Sequence, residues 1–175
     1  MDNDIRLVTK YMYLFDAGIP KYLVWVLCAI IAGIIISLYF TKKNWYSFLR
    51  NTLFCLLFGY VFFVLCVTLI FRDQSESIRV FIRPFWSYHV PNYKLIAELV
   101  LNVLLFVPIG FLAAAAMRRT KMLVLTGIAC CFSMTIEVLQ LLFRRGVCNI
   151  DDVIHNTFGF VLGYCIFRIC FVMIR

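Results

Sequence analysis

From Met122 to Phe143 the chain is apolar with a single charged residue, Glu137. This is about the length that crosses a bilayer as a helix, ~20 residues at ~1.5 Å each. Four further runs have similar length: Tyr22 to Phe40, Leu53 to Phe71, about Leu95 to Met117, and about Asp151 to Ile174. Together they make 64% of the 175 residues hydrophobic, against ~45–50% in soluble domains. The reading is an all-α, polytopic membrane helical bundle of about five transmembrane helices. No room remains for a separate soluble domain.

The connecting segments divide the chain. Residues 1–21 are polar and mixed in charge, residues 22–71 hold the first two spans, residues 72–97 form an interfacial loop, and residues 98–174 hold three more spans. The first run is too long for a signal-peptide core and no small-residue cleavage site follows it, so it reads as a retained span. Thr41-Lys-Lys-Asn-Trp45-Tyr46 marks an interface, with cations and amphipathic aromatics at headgroup depth. The long connection from Arg72 to Lys94 interleaves cations with Phe81, Phe85, Trp86, Tyr88 and Tyr93. That alternation suits a segment lying in the membrane interface, with a short surface helix up to Arg83 and breaks at Pro84 and Pro91.

Five spans put the termini on opposite faces. Eight of the nine acidic residues lie on or near the amino-terminal face, Glu137 lies within a span, and the other face has none. Cation counts are nearly equal, nine against eight. The face without acids is therefore the unbroken positive one, and the positive-inside rule makes it cytoplasmic, with the amino terminus outside. The net charge of +8 does not point to nucleic acid, because the cations sit in short segments between apolar runs, where lipid phosphates and topology explain them. The eight cysteines contain no CxxC pair and fall mostly inside the runs, so they behave as small apolar residues and neither a zinc site nor a disulfide framework is expected.

A charged group near the centre of a span costs ~3 kcal/mol or more, so Glu137 should face protein or water. Gln140 shares its helix face, and Ser133 lies one turn earlier. On the five-span topology Asn102, Glu137, Gln140, Arg144, Arg145, Asp151, Asp152, His155 and Asn156 gather at one depth, as a pocket opening outward from three helices. Plainer readings stand beside this one. Asn102, Gln140 and Asn156 could bridge helices, at ~0.6–2 kcal/mol per bond. Glu137 could pair with Arg144 or Arg145, Asp151 could cap the fifth helix, and His155 could be an ordinary interfacial residue. Pro108 removes an N–H and kinks the third span; Gly110 follows it, and Gly159 and Gly163 form a small-xxx-small pair for close packing. No pairing of Glu137, Asp151, Asp152 and His155 has the spacing of a defined metal motif, so neither metal nor other cofactor is expected. Ser133, Thr135 and Cys148 lack any nucleophile signature. Glu137 and Asp152 are candidates for acid–base chemistry.

Four blocks resemble the VanZ-like family in content and order. They are Asn102-Val-Leu-Leu-Phe-Val-Pro108-Ile-Gly110, Ile136-Glu137-Val-Leu-Gln140, Arg145-Gly146, and Ile150-Asp-Asp-Val-Ile-His-Asn156-Thr-Phe-Gly159 with Gly163. Arg83-Pro-Phe-Trp86 fits the family's opening, so the resemblance covers about residues 80–165. It implies a multi-pass protein of the bacterial cell membrane and envelope. The family's named member is associated with low-level resistance to teicoplanin-type glycopeptides, and many relatives carry an acidic residue near Asn149. The expected partners are membrane lipids and a lipid-linked cell-wall precursor or glycopeptide antibiotic. Two functions follow as expectations: an outward pocket that binds such a ligand at the outer leaflet, or an intramembrane hydrolase or transferase acting on a lipid or cell-wall precursor.

Overall fold

The computed structural model of the chain describes Ile31, Gly33 and Ile35 and the segments 44–70, 80–89, 93–145 and 148–173. The fold is all-α, and among the described residues four helices are long and apolar enough to cross a membrane. They are α1 (Trp45–Leu65), continued by a π-helical turn (Cys66–Ile70), α2 (Tyr93–Ala116), α3 (Met122–Leu142) and α4 (Ile150–Met173). The first span expected at Tyr22 to Phe40 lies outside the described residues, apart from the three helical positions named above.

Helix α1 begins earlier than the apolar run predicts. Asn44 is extended, and its side chain accepts from the Tyr46 and Ser47 amides, so the cap satisfies two of the donors a helix start leaves open. Trp45 and Tyr46 are thereby helical and still exposed. The expected surface helix up to Arg83 is absent from the described part of the loop. Val80–Phe81 forms a short strand, β1, that pairs in parallel with β2 (Cys148–Asn149), and a 3₁₀ turn follows at Trp86–His89. Side chains bulky at Cβ favour the strand, and Pro84 withholds the amide a helix would need.

Helices α2 and α4 are the central pair, with α1 against α2 and α3 against α4. Gly159 faces the Val103 carbonyl and Gly163 faces the Val107 carbonyl, so α2 and α4 run in the same direction. A methyl group at Gly110, Gly159 or Gly163 would lie 1.9, 2.2 or 1.9 Å from a carbonyl oxygen of the opposite helix. Only hydrogen fits. Pro108 sits inside α2 without ending it. The core is aliphatic and aromatic: Leu57 and Val64 of α1, Phe106 and Ile109 of α2, Leu125 and Ile136 of α3, Phe160 and Phe167 of α4. Leu101, Leu123, Ile128 and Phe158 point outward and stay exposed, an arrangement that hydrocarbon surroundings favour and water does not.

Candidate functional site

Ser133, Ile136, Glu137 and Gln140 are all buried along one face of α3, as positions three and four apart must be when that face packs. At this end of the bundle the network centres on Asn149. Its backbone amide donates to Glu137 Oε2 at 2.8 Å. Its Oδ1 accepts from Trp86 Nε1 at 3.2 Å and from the Asp151 amide at 3.1 Å. Its Nδ2 donates to Ser87 Oγ at 3.4 Å and to Asp152 Oδ1 at 3.3 Å. Every hydrogen-bonding group of the Asn149 side chain is used.

Asp151 does not cap its own helix, contrary to what its place in the first turn suggests. The cap comes from Asn149 Oδ1, while the Asp151 carboxylate reaches across to the 3₁₀ segment and accepts from the Phe85 and Ser87 amides. Asp151 and Ser87 are fully buried. Phe85 is held in the left-handed region, with φ 61°, a conformation that costs a non-glycine residue roughly 1–2 kcal/mol. The two bonds to Asp151 secure it.

His155 Nδ1 faces the Asp151 carbonyl oxygen, which can only accept, so Nδ1 carries the proton. In the neutral ring Nε2 then accepts from the Tyr88 hydroxyl at 2.6 Å. Tyr88 and His155 border a groove of about 480 Å³, lined otherwise by Phe85, by Leu99, Val100 and Val103 of α2, and by Ile154 and Phe158 of α4. That volume falls within the range of small-ligand sites, ~300–1,000 Å³.

The remaining expected residues separate into groups. Gln140 Nε2 donates to the Thr68 carbonyl at 3.0 Å, and an Arg145 Nη donates to the Ile70 carbonyl at 2.9 Å. Both bonds fasten the end of α1 to the end of α3. Asn156 Nδ2 donates to Ser133 Oγ at 2.8 Å, while its Oδ1 is buried without a hydrogen-bond partner among the described residues. Arg144 is exposed with φ 52°. Its amide donates to Leu141 O and the Arg145 amide to Gln140 O, the pair of bonds that ends a helix on a left-handed residue. Asn102 is half-buried on α2 and makes no hydrogen bond to the cluster among the described residues.

Glu137, Asp151, Asp152 and His155 are thus brought together, through four residues outside the pocket expected from sequence: Asn149, Trp86, Ser87 and Tyr88. The one local signal for Asn149 is an Asn two residues before the first acidic residues of a helix, the position of an Asx cap. The half-buried Cys148 thiol is pushed up from its ordinary value near 9.0 by burial first, then by the negative charges of Glu137 and Asp152. Among the described residues no three His, Cys, Asp or Glu side chains converge as a metal ligand set would.

A family model described as VanZ/LLP1 matches residues 56–171. The chain is 33% identical over 102 residues to Protein VanZ of Enterococcus faecium, an alignment covering 54% of this chain and 60% of that protein. The chain therefore spans less than two thirds of that relative's length. No solved structure matches.

Proposed function

The chain belongs to the VanZ/LLP1 family, and from that premise we propose that it lowers the action of teicoplanin-type glycopeptides by holding an amphiphilic ligand at the outer leaflet. On this reading the end of the bundle with Glu137, Asn149, Asp151, Asp152 and His155 faces the cell exterior, and the carboxyl terminus is cytoplasmic. The ligand's hydrocarbon lies in the groove between α2 and α4. Its polar part meets the Tyr88 hydroxyl, whose oxygen can still accept while its O–H donates to His155 Nε2. The buried network behind holds that pair in place: Asp151 anchors both the 3₁₀ turn and, through its carbonyl, the His155 ring. The observation that carries the proposal is this juxtaposition, an apolar groove of ligand size bordered by one polar pair that is held in place by buried Asp151.

The test is expression of the full chain in a susceptible Gram-positive host, with membrane insertion verified. The parent should raise the teicoplanin inhibitory concentration several-fold. Val100→Trp, at an exposed groove position, should abolish the gain while leaving the protein in the membrane. Unchanged susceptibility with the parent present would refute the proposal.

A second reading is enzymatic, a hydrolase or transferase on a lipid or lipid-linked cell-wall precursor with Glu137 or Asp152 as acid–base. What favours it is that both are buried carboxylates tied to one residue, Asn149. It requires Glu137→Gln to alter the host's lipid or precursor profile while the protein still folds. Identical profiles for parent and variant would dismiss it.

A further inference from the structure

At the opposite end of the bundle, Arg118, Arg119 and Lys121 occupy the tight turn between α2 and α3, and Arg168 stands near the end of α4; all are exposed. No Asp or Glu occurs at positions 17–72, 99–136 or 153–175, so these segments bring no acidic side chain to neutralise them.

One of these cations is fixed in place. The Arg118 guanidinium carbon lies 4.7 Å from the ring centroid of Phe171 and 5.7 Å from that of Phe167. Its Nε donates to the Ala115 carbonyl at 3.3 Å, covering one of the acceptors that the end of α2 leaves open. The two Nη groups have no protein partner among the described residues. An exposed arginine ordinarily gives up rotamer freedom when it binds. Here stacking on α4 and the bond to α2 have already restricted it, and the guanidinium fork suits two oxygens of one anionic centre. Arg119 and Lys121 flank it on the same turn. Helix α3 adds its amide end there, since the Lys121 side chain makes no capping hydrogen bond to its first amides.

The surroundings specify what carries the anion. Leu123, Val124, Val172 and Met173, adjoining the cations on α3 and α4, are exposed and apolar. A phosphate here would have hydrocarbon directly beside it. We propose that the Arg118–Lys121 turn, with Arg168, is a binding site for the phosphate headgroup of an anionic phospholipid whose acyl chains lie along α3 and α4. The site stands at the other end of the bundle from the glycopeptide reading and does not depend on it.

The test is native mass spectrometry of the purified full chain in detergent, with phosphatidylglycerol or phosphatidylcholine of matched acyl chains, each with and without millimolar inorganic phosphate. The parent should retain phosphatidylglycerol at least about tenfold better, and each neutralised cation should reduce that preference by up to about fivefold. Arg118→Lys, which keeps the charge and loses the fork, should fall between parent and Arg118→Gln. Should Arg118→Gln misfold, Arg119→Gln and Lys121→Gln carry the same test from exposed positions. Equal retention of both lipids by the parent, or an unchanged preference in the glutamine variants, overturns the site. Full displacement of phosphatidylglycerol by inorganic phosphate would make it a free-phosphate site and overturn the lipid assignment.

Discussion

Replacing Gly163 by Ala sets two effects of opposite sign against each other. Alanine is the better helix former by ~1 kcal/mol. Against this, the new methyl would lie 1.9 Å from the Val107 carbonyl oxygen, 2.8 Å from its carbon and 2.9 Å from the Phe111 amide nitrogen. All three are backbone atoms, so no side chain can swing away. Ordinary contact begins at 3.4 Å, so α2 and α4 would have to separate locally by about 1.5 Å, the difference between 3.4 and 1.9. Overpacking of this kind costs ~1–3 kcal/mol, occasionally more, and here it acts on the central helix pair. Three backbone contacts below 3.0 Å put the clash at the upper end of that range, so it should win, leaving Gly163→Ala destabilised by up to about 2 kcal/mol once propensity is subtracted. Gly127→Ala on α3 is the internal control, because a methyl there meets nothing within 4 Å. It should be neutral or stabilising by up to ~1 kcal/mol. The assay is thermal unfolding of both variants and the parent in the same detergent. If Gly163→Ala is as stable as Gly127→Ala, backbone contact between α2 and α4 is not what selects glycine there.

Asn149→Asp replaces two donated bonds with a carboxylate oxygen 3.3 Å from Asp152 Oδ1; it should cost ~2–5 kcal/mol at pH 8, measured by thermal unfolding, and a variant as stable as the parent would contradict the assigned network. Arg144→Gly relieves a left-handed residue at φ 52° and should raise stability by ~0.5–1 kcal/mol in the same measurement. Because burial and then the charges of Glu137 and Asp152 raise the Cys148 thiol above its ordinary 9.0, its thiolate fraction at pH 8 is lower than that of a free cysteine. Its alkylation, followed by peptide mass spectrometry, should be slow at pH 8, rise steeply above pH 9, and quicken in Glu137→Gln.

The fold is legible in the sequence because span length is set by bilayer thickness, a constraint that leaves little choice for a long apolar run. Its boundaries are less so: the apolar run begins at Leu53, yet Asn44 caps a helix that already includes Trp45 and Tyr46. At the candidate site the burial of Ser133, Glu137 and Gln140 follows from their spacing, but their partners do not. Gln140 meets a carbonyl of the α1 extension, and Asn156 meets Ser133. Asp151 reads as a helix cap because it sits in the first turn, yet that cap belongs to Asn149 and the carboxylate is committed to Phe85 and Ser87. The sequence pattern marks Trp86 and Tyr88 as interfacial aromatics, not as site residues, and does not mark Ser87 at all. They matter only because two-residue strands bring positions 80–81 beside 148–149, and local pattern carries no record of such distant pairing.

That pairing also orders assembly. The contacts of residues 85–88 with Asn149, Asp151 and His155 each join positions 62 to 67 residues apart. None can close until the first turn of α4 has emerged, so the carboxylate end is finished after α1, α2 and α3 are already made. A nascent chain halted just short of Asn149 would carry Glu137 into the bilayer without the backbone donor that holds it in the finished protein.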